Sequence, residues 1–215
     1  MCAHEPRALH RQAGDEARSK AELAAAGHSG DLERVRRAIG DPSPSLRATA
    51  LGALGRLGAL DLQALAAGLC DEDSAVRRRA AELSHRAGLD KEGVAALLLP
   101  LLDDEPEVVE AACTALGELG LEEAVDELGQ VATGSADPLC REAAVAALGS
   151  IGAVAGLCYI LAACEDRPAI RRRAVLALAP FEGPAVKAAL EGALSDRDWQ
   201  VRQAAEDLSE GRSWA

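Results

Sequence analysis

The stretch DEDSAVRRRAAELSHRAG at 71–88 constrains the fold more than anything else in the chain, because it recurs. The same frame begins at Asp41, Asp103, Ser135, Glu165 and Asp196. Leu46, Val76, Val108, Cys140, Ile170 and Val201 occupy one equivalent position, and successive spacings are 30, 32, 32, 30 and 31 residues. A fixed period in this range signals a repeat array. With that position as zero, −2 is Pro in four of six copies (Pro44, Pro106, Pro138, Pro168), which marks the first turn of a helix. Position −3 is mostly N-cap chemistry, as in Ser43, Asp73 and Asp137. Position +12 is Gly58, Gly88, Gly120 and Gly152, the left-handed residue that ends a helix. Each copy therefore predicts a helix of about 14 residues, roughly 21 Å long.

Within that helix the apolar positions are 0, +4, +7, +8 and +11, one buried stripe at helical spacing. Position +4 is Ala in all six copies, small enough for neighbouring helices to approach closely. A second, shorter helix precedes each copy, at 32–39, 62–69, 94–102, 124–131, 154–163 and 185–194. One such pair cannot bury its own face, so pairs must stack. Residues 1–14 read as a flexible tail, and 15–215 as one repeat domain whose Ala-rich start caps the first pair.

Two charged positions recur as well. Position −5 carries Asp41, Asp71, Asp103, Glu165 and Asp196, with Ser135 as the exception. Position +1 carries Arg47, Arg77, Arg141, Arg171 and Arg202, with Val109 as the exception. An aspartate in the turn accepts backbone N–H bonds, and an arginine can fork towards an adjacent turn. Repetition across copies argues for a structural ladder rather than a catalytic pair.

The pattern of a helix, an Asp-Pro-type turn and then Val-Arg-x-x-Ala-x-x-Ala-Leu-Gly resembles the HEAT repeat. The short period is most similar to the HEAT-like repeats of the phycobilisome-lyase type, over roughly 31–209. The resemblance implies an all-α, right-handed α-solenoid of about six helical pairs. It also implies that the second helix of each pair lines a concave face.

Net charge is −12, which opposes binding to a phosphate backbone. No apolar run of membrane-spanning length occurs, and the first residues lack the apolar core of a secretory signal, so a cytoplasmic location is expected. The six cysteines form no C-x-x-C, and most read as small buried hydrophobes. The four histidines are scattered. HEAT-like iron enzymes such as deoxyhypusine hydroxylase use several His-Glu pairs; here His4-Glu5 is the sole such step. No phosphate loop, nucleophile elbow or Cys/His arrangement stands out, so no cofactor and no enzymatic activity are expected. HEAT-like DNA glycosylases work with aromatic residues on the concave face. The equivalent positions here carry none, which leaves no stacking platform for a base.

Two arginine triplets, 77–79 and 171–173, occupy the same slots three copies apart. Arg78, Arg79, Arg172 and Arg173 should face outward from the second helix, with Arg86 extending the basic surface and Glu110 and Glu142 lying between. Positions +6 and +9 hold small residues such as Gly52, Gly55, Gly117 and Gly149, which read as the floor of a groove. The expected function is a non-catalytic scaffold or adaptor that binds a protein partner, through an acidic segment, along the concave face. The alternative that the family resemblance implies is an accessory or lyase-like factor acting on a tetrapyrrole or another cofactor-bearing protein. A DNA glycosylase is a third alternative.

Overall fold

Local signals set where each helix begins and ends. This computed structural model describes residues 5–86 and 88–210, with thirteen α-helices among them. They are α1 (Glu5–Ser29), α2 (Leu32–Arg37), α3 (Pro44–Arg56), α4 (Leu62–Leu69), α5 (Ser74–Ser84), α6 (Lys91–Leu98), α7 (Pro106–Leu119), α8 (Val125–Gly134), α9 (Pro138–Ile151), α10 (Leu157–Ala163), α11 (Pro168–Ala177), α12 (Pro184–Ala193) and α13 (Trp199–Glu210). After α1 they form six pairs. The second helix of every pair begins at position −2: Pro44, Ser74, Pro106, Pro138, Pro168 and Trp199. Asp73, Asp137 and Asp198 cap their helices by accepting the N–H two residues on. Gly58, Gly88, Gly120 and Gly152 all have φ between 63° and 71°, which a side chain would strain. Copy five has no such glycine: α11 ends at Ala177, and Gly183 (φ 113°, ψ 173°) is the N-cap of α12.

The first helices are less regular. Several carry a 3₁₀ turn at one end, as at Leu99–Asp103, where Pro100 removes an N–H that α-helical bonding would need.

The chain divides into two compact units, residues 1–89 and 90–215, where the sequence suggests one repeat domain. In the first unit α1 packs against α2 and α3, and α3 against α4 and α5. Residues 5–14 belong to α1, where the sequence reading places a flexible tail. Leu23 and Ala26 of α1 are buried, and a Cβ on Gly27 would come within 2.8 Å of the Ala53 Cβ, so the helix seals the first pair closely. In the second unit the second helices α7, α9, α11 and α13 stack in chain order, with α8 against α9 and α10. Residues 1–4, which include His4, and residue Trp214 lie outside the described part.

The six alanines at +4 (Ala50, Ala80, Ala112, Ala144, Ala174, Ala205) are each 0% exposed. Position +5 is also buried in five copies, through Leu51, Ala81, Cys113, Val145 and Val175. The buried arc is thus wider than one stripe, because a second helix such as α9 is covered both by its own first helix, α8, and by the second helices α7 and α11 on either side. Leu54, Leu116, Leu148 and Leu178 at +8 are fully buried; copy two has Ser84 there, satisfied by donating to the Ala81 carbonyl at 2.8 Å. Cys113 and Cys140 are buried thiols and Cys164 is half-buried, whereas Cys70 and Cys158 are exposed. Burial pushes the Cys113 thiol up to about 12, which makes it an inert packing group.

Candidate docking surfaces

The recurring charges form a ladder with a defined geometry. Arg47 donates from Nε and Nη2 to both oxygens of Asp71, at 2.7 and 2.6 Å. Arg141 forks onto Asp166 at 2.8 and 3.1 Å, and Arg171 onto Asp196 at 2.8 and 2.7 Å. Each of these arginines joins its own copy to the turn of the next. The remaining edge of the guanidinium binds the arginine's own turn. Nη1 of Arg47 meets the Asp41 and Pro42 carbonyls, and Nη1 of Arg77 meets those of Asp71 and Glu72. Nη1 of Arg141 meets Ser135 and Ala136, that of Arg171 meets Asp166, and that of Arg202 meets Asp196. Five guanidiniums therefore occupy one repeated receptor of main-chain oxygens.

The carboxylates also order their own turns. Asp41, Asp71 and Asp196 each accept the N–H two residues on, from Ser43, Asp73 and Asp198. In copies three and five this role moves one residue later. Asp104 accepts the Glu105 N–H at 2.7 Å and Asp166 the Arg167 N–H at 2.6 Å. Asp103 is exposed, and Glu165 is replaced as the ladder carboxylate by Asp166. Charge and hydrogen bonding act together on these acids. The Arg141 guanidinium holds Asp166 below the usual carboxylate range, and Arg171 does the same for Asp196. For Asp71 burial pushes the pKa up, but bonds from Arg47 and the Asp73 N–H outweigh it and leave the group lowered.

The two arginine triplets fall in different units. Arg77 and Arg171 belong to the ladder. On α5, Arg79 donates to Glu82 at 2.9 Å and Arg78 approaches the same carboxylate at 3.6 Å. Arg79 also lies over α3: a Cβ on Gly52 would meet its Nη2 at 2.8 Å. Exposed Arg86 donates to Nε2 of His85 at 3.1 Å. In the second unit Arg173 reaches Glu142 of the preceding copy at 3.3 Å, so these two candidate contact residues largely neutralise one another. Arg172 is half-buried and Glu110 is exposed.

The small residues at +9 have a different role from the one expected. A Cβ on Gly117 would come within 2.8 Å of the Ala147 Cα, and one on Gly149 within 2.7 Å of the Ala177 Cα. These glycines let consecutive second helices touch, so they are packing contacts rather than an open floor. Composition alone does not separate the two roles, because both ask for small residues. On the first helices the Tyr159 ring covers Gly129, with its hydroxyl 3.3 Å from Asp126. Among the described residues, no group of three or more His, Cys, Asp or Glu could hold a metal ion, and no helix is long and apolar enough to cross a membrane.

The family described as HEAT repeats matches residues 94–166. No curated protein matches the chain. Among solved structures, the complex of CpcE and CpcF of phycocyanin lyase from Nostoc sp. PCC7120 is similar at a TM-score of 0.62, with 24% identity over 81% of this chain and 74% of that one. An engineered protein is similar at 0.62 with 21% identity, over 84% of this chain and 97% of its own. A designed armadillo repeat protein is similar at 0.60 with 19% identity, over 83% of this chain and 98% of its own. At these identities the likeness is one of fold. Residues 94–166 match HEAT repeats, and the chain has an all-α repeat fold like that of HEAT and armadillo proteins.

Proposed function

We propose that this protein is a non-catalytic scaffold that holds a partner by an acidic segment docked along the outer side of α3 and α5. The observation that carries the reading is the charge balance there. Arg78 and Arg79 share the Glu82 carboxylate, and exposed Arg86 follows α5 with its guanidinium on His85. A basic surface of this kind on a chain of net charge −12 is out of keeping with the whole. Exposed ion pairs with Glu82 are worth a few tenths of a kcal/mol each, so an incoming carboxylate displaces them at small cost. Repeat proteins present extended surfaces of stacked helices, which suits a long, shallow contact.

The test uses a fluorescein-labelled peptide of alternating glutamate and leucine, titrated by anisotropy. An affinity pull-down from native extract runs beside it, at low and high salt. Wild type is compared with Arg78→Glu/Arg79→Glu/Arg86→Glu, matched for helicity by circular dichroism. Binding that falls at least tenfold in the variant and weakens with salt supports the reading. Equal binding by both proteins, or no binding, overturns it. A bilin absorbance titration in parallel separates out the tetrapyrrole alternative.

A further inference from the structure

Within the second unit the ladder is interrupted between copies three and four, beside a cleft. Copy three has Val109 where the other copies have arginine, and copy four has Ser135 where the partner carboxylate would stand. Both ends of that one rung are missing together. The gap lies within the second unit, beside a cleft of about 1250 Å³ at the turns before α7 and α9. Val109 and Val131 give it apolar walls, and Asp103, Glu127, Ser135 and Asp137 line it. Asp104 lines it too, with its carboxylate capping the Glu105 N–H. Among the described residues, no lysine, arginine or histidine lines it.

We propose that this cleft receives an arginine side chain from a bound protein, which supplies the missing rung from outside. The first argument is the internal precedent. In all five other copies the carbonyls at −5 or −4 hold a guanidinium Nη1, at 2.7–3.2 Å for the shortest bonds in each copy and the second bond to Pro42. Copy three closes its turn one residue later, as copy five does, with the Asp104 N–H to the Leu101 carbonyl at 3.4 Å, and has no arginine of its own at +1. The second argument is charge. Asp103, Glu127 and Asp137 give the cleft a negative lining, which Arg141, bound to the Ser135 and Ala136 carbonyls, offsets beside Asp137. Asp137 also accepts the Leu139 N–H at 2.7 Å, which fixes its position. The third is shape. An arginine stem packs along apolar walls while its planar head finds several oxygens, and a lysine satisfies that geometry less well. This contact is separate from the basic surface on α3 and α5, and different residues carry it.

The probe is the capped tripeptide acetyl-Gly-Arg-Gly-amide, titrated into the ¹⁵N-labelled full-length protein. Its neutral isostere with citrulline in place of arginine is the control. The expected result is saturable shifts at the amides of Asp103, Val109, Glu127 and Ser135, with the citrulline peptide at least fivefold weaker. The double variant Val109→Arg/Ser135→Asp supplies the rung from within and should abolish the shifts. Glu127→Gln, on the exposed side of α8, should weaken binding at least twofold and serves as the second readout if the double variant does not fold. Absent shifts, shifts scattered over unrelated carboxylates, equal binding of the two peptides, or undiminished binding by either variant overturns the proposal.

Discussion

Arg171 and Asp196 lie 25 residues apart and meet edge to edge, Nε to Oδ2 at 2.8 Å and Nη2 to Oδ1 at 2.7 Å, with the arginine 8% exposed. Its third contact is to the Asp166 carbonyl. The guanidinium thus ties the turn before α11 to the turn before α13. Removing it leaves Asp196 half-sheltered without its counter-charge. Arg171→Ala should cost about 3 kcal/mol, as breaking a sheltered charge pair does. Arg171→Lys should recover little, because a point charge cannot make the fork. Urea midpoints for the two variants and wild type check this, and a lysine variant as stable as wild type would contradict it.

The same carboxylates set an acid limit. Asp71, Asp166 and Asp196 all titrate below their ordinary value in the folded chain. A lowered folded pKa means that the stabilisation is complete above the unfolded value of about 4 and is lost as pH falls through the folded one. Stability should therefore be flat from pH 7 down to about 5 and then drop steeply. Arg47→Met, Arg141→Met and Arg171→Met combined should flatten that drop. Urea denaturation across pH 3–7 measures both curves.

Much of this ladder was legible from spacing alone. The positions of Asp and Arg, the helix starts at −2 and the left-handed glycines all follow from a period that any single copy would hide. The shift from Glu165 to Asp166 was not legible, because neighbouring acids are interchangeable in sequence and only the turn geometry chooses between them. Nor was the role of Gly149. A small residue is equally compatible with an open groove and with a close helix contact, and only the position of Ala177 decides. The coupled loss of Val109 and Ser135 was present in the sequence as two separate exceptions. It gains meaning once Arg47, Arg141 and Arg171 are seen to pair with the following copy rather than with their own.

The alanines at +4 should tolerate nothing larger. Ala112 and Ala144 are 0% exposed at the meeting of two helices. Leucine in either place adds three carbons to a filled space, so Ala144→Leu should cost about 1–3 kcal/mol or more. Leu148→Ala, one turn further along the same helix, should cost about 2–5 kcal/mol by leaving a cavity. Both should lower the urea midpoint, and an unchanged midpoint for either would contradict the burial of this face.

Two glycine-to-alanine substitutions should act with opposite signs. Gly192 lies exposed in α12, and a Cβ there would meet nothing within 4 Å. Alanine gains helix propensity at no steric cost, so Gly192→Ala should stabilise by about 0.5 kcal/mol. Gly149 lies in α9, and a Cβ there would come within 2.6 Å of the Ala177 Cβ and 2.7 Å of its Cα. The obstacle is backbone of α11 and cannot rotate away. The propensity gain is the same, but α9 and α11 must separate to admit the methyl, and the alanine contacts between them loosen. Gly149→Ala should therefore destabilise by about 1–3 kcal/mol. Thermal and urea denaturation of the two single variants give the answer directly. Stabilisation by both would mean that α9 and α11 are packed less closely than the Gly149–Ala177 contact requires.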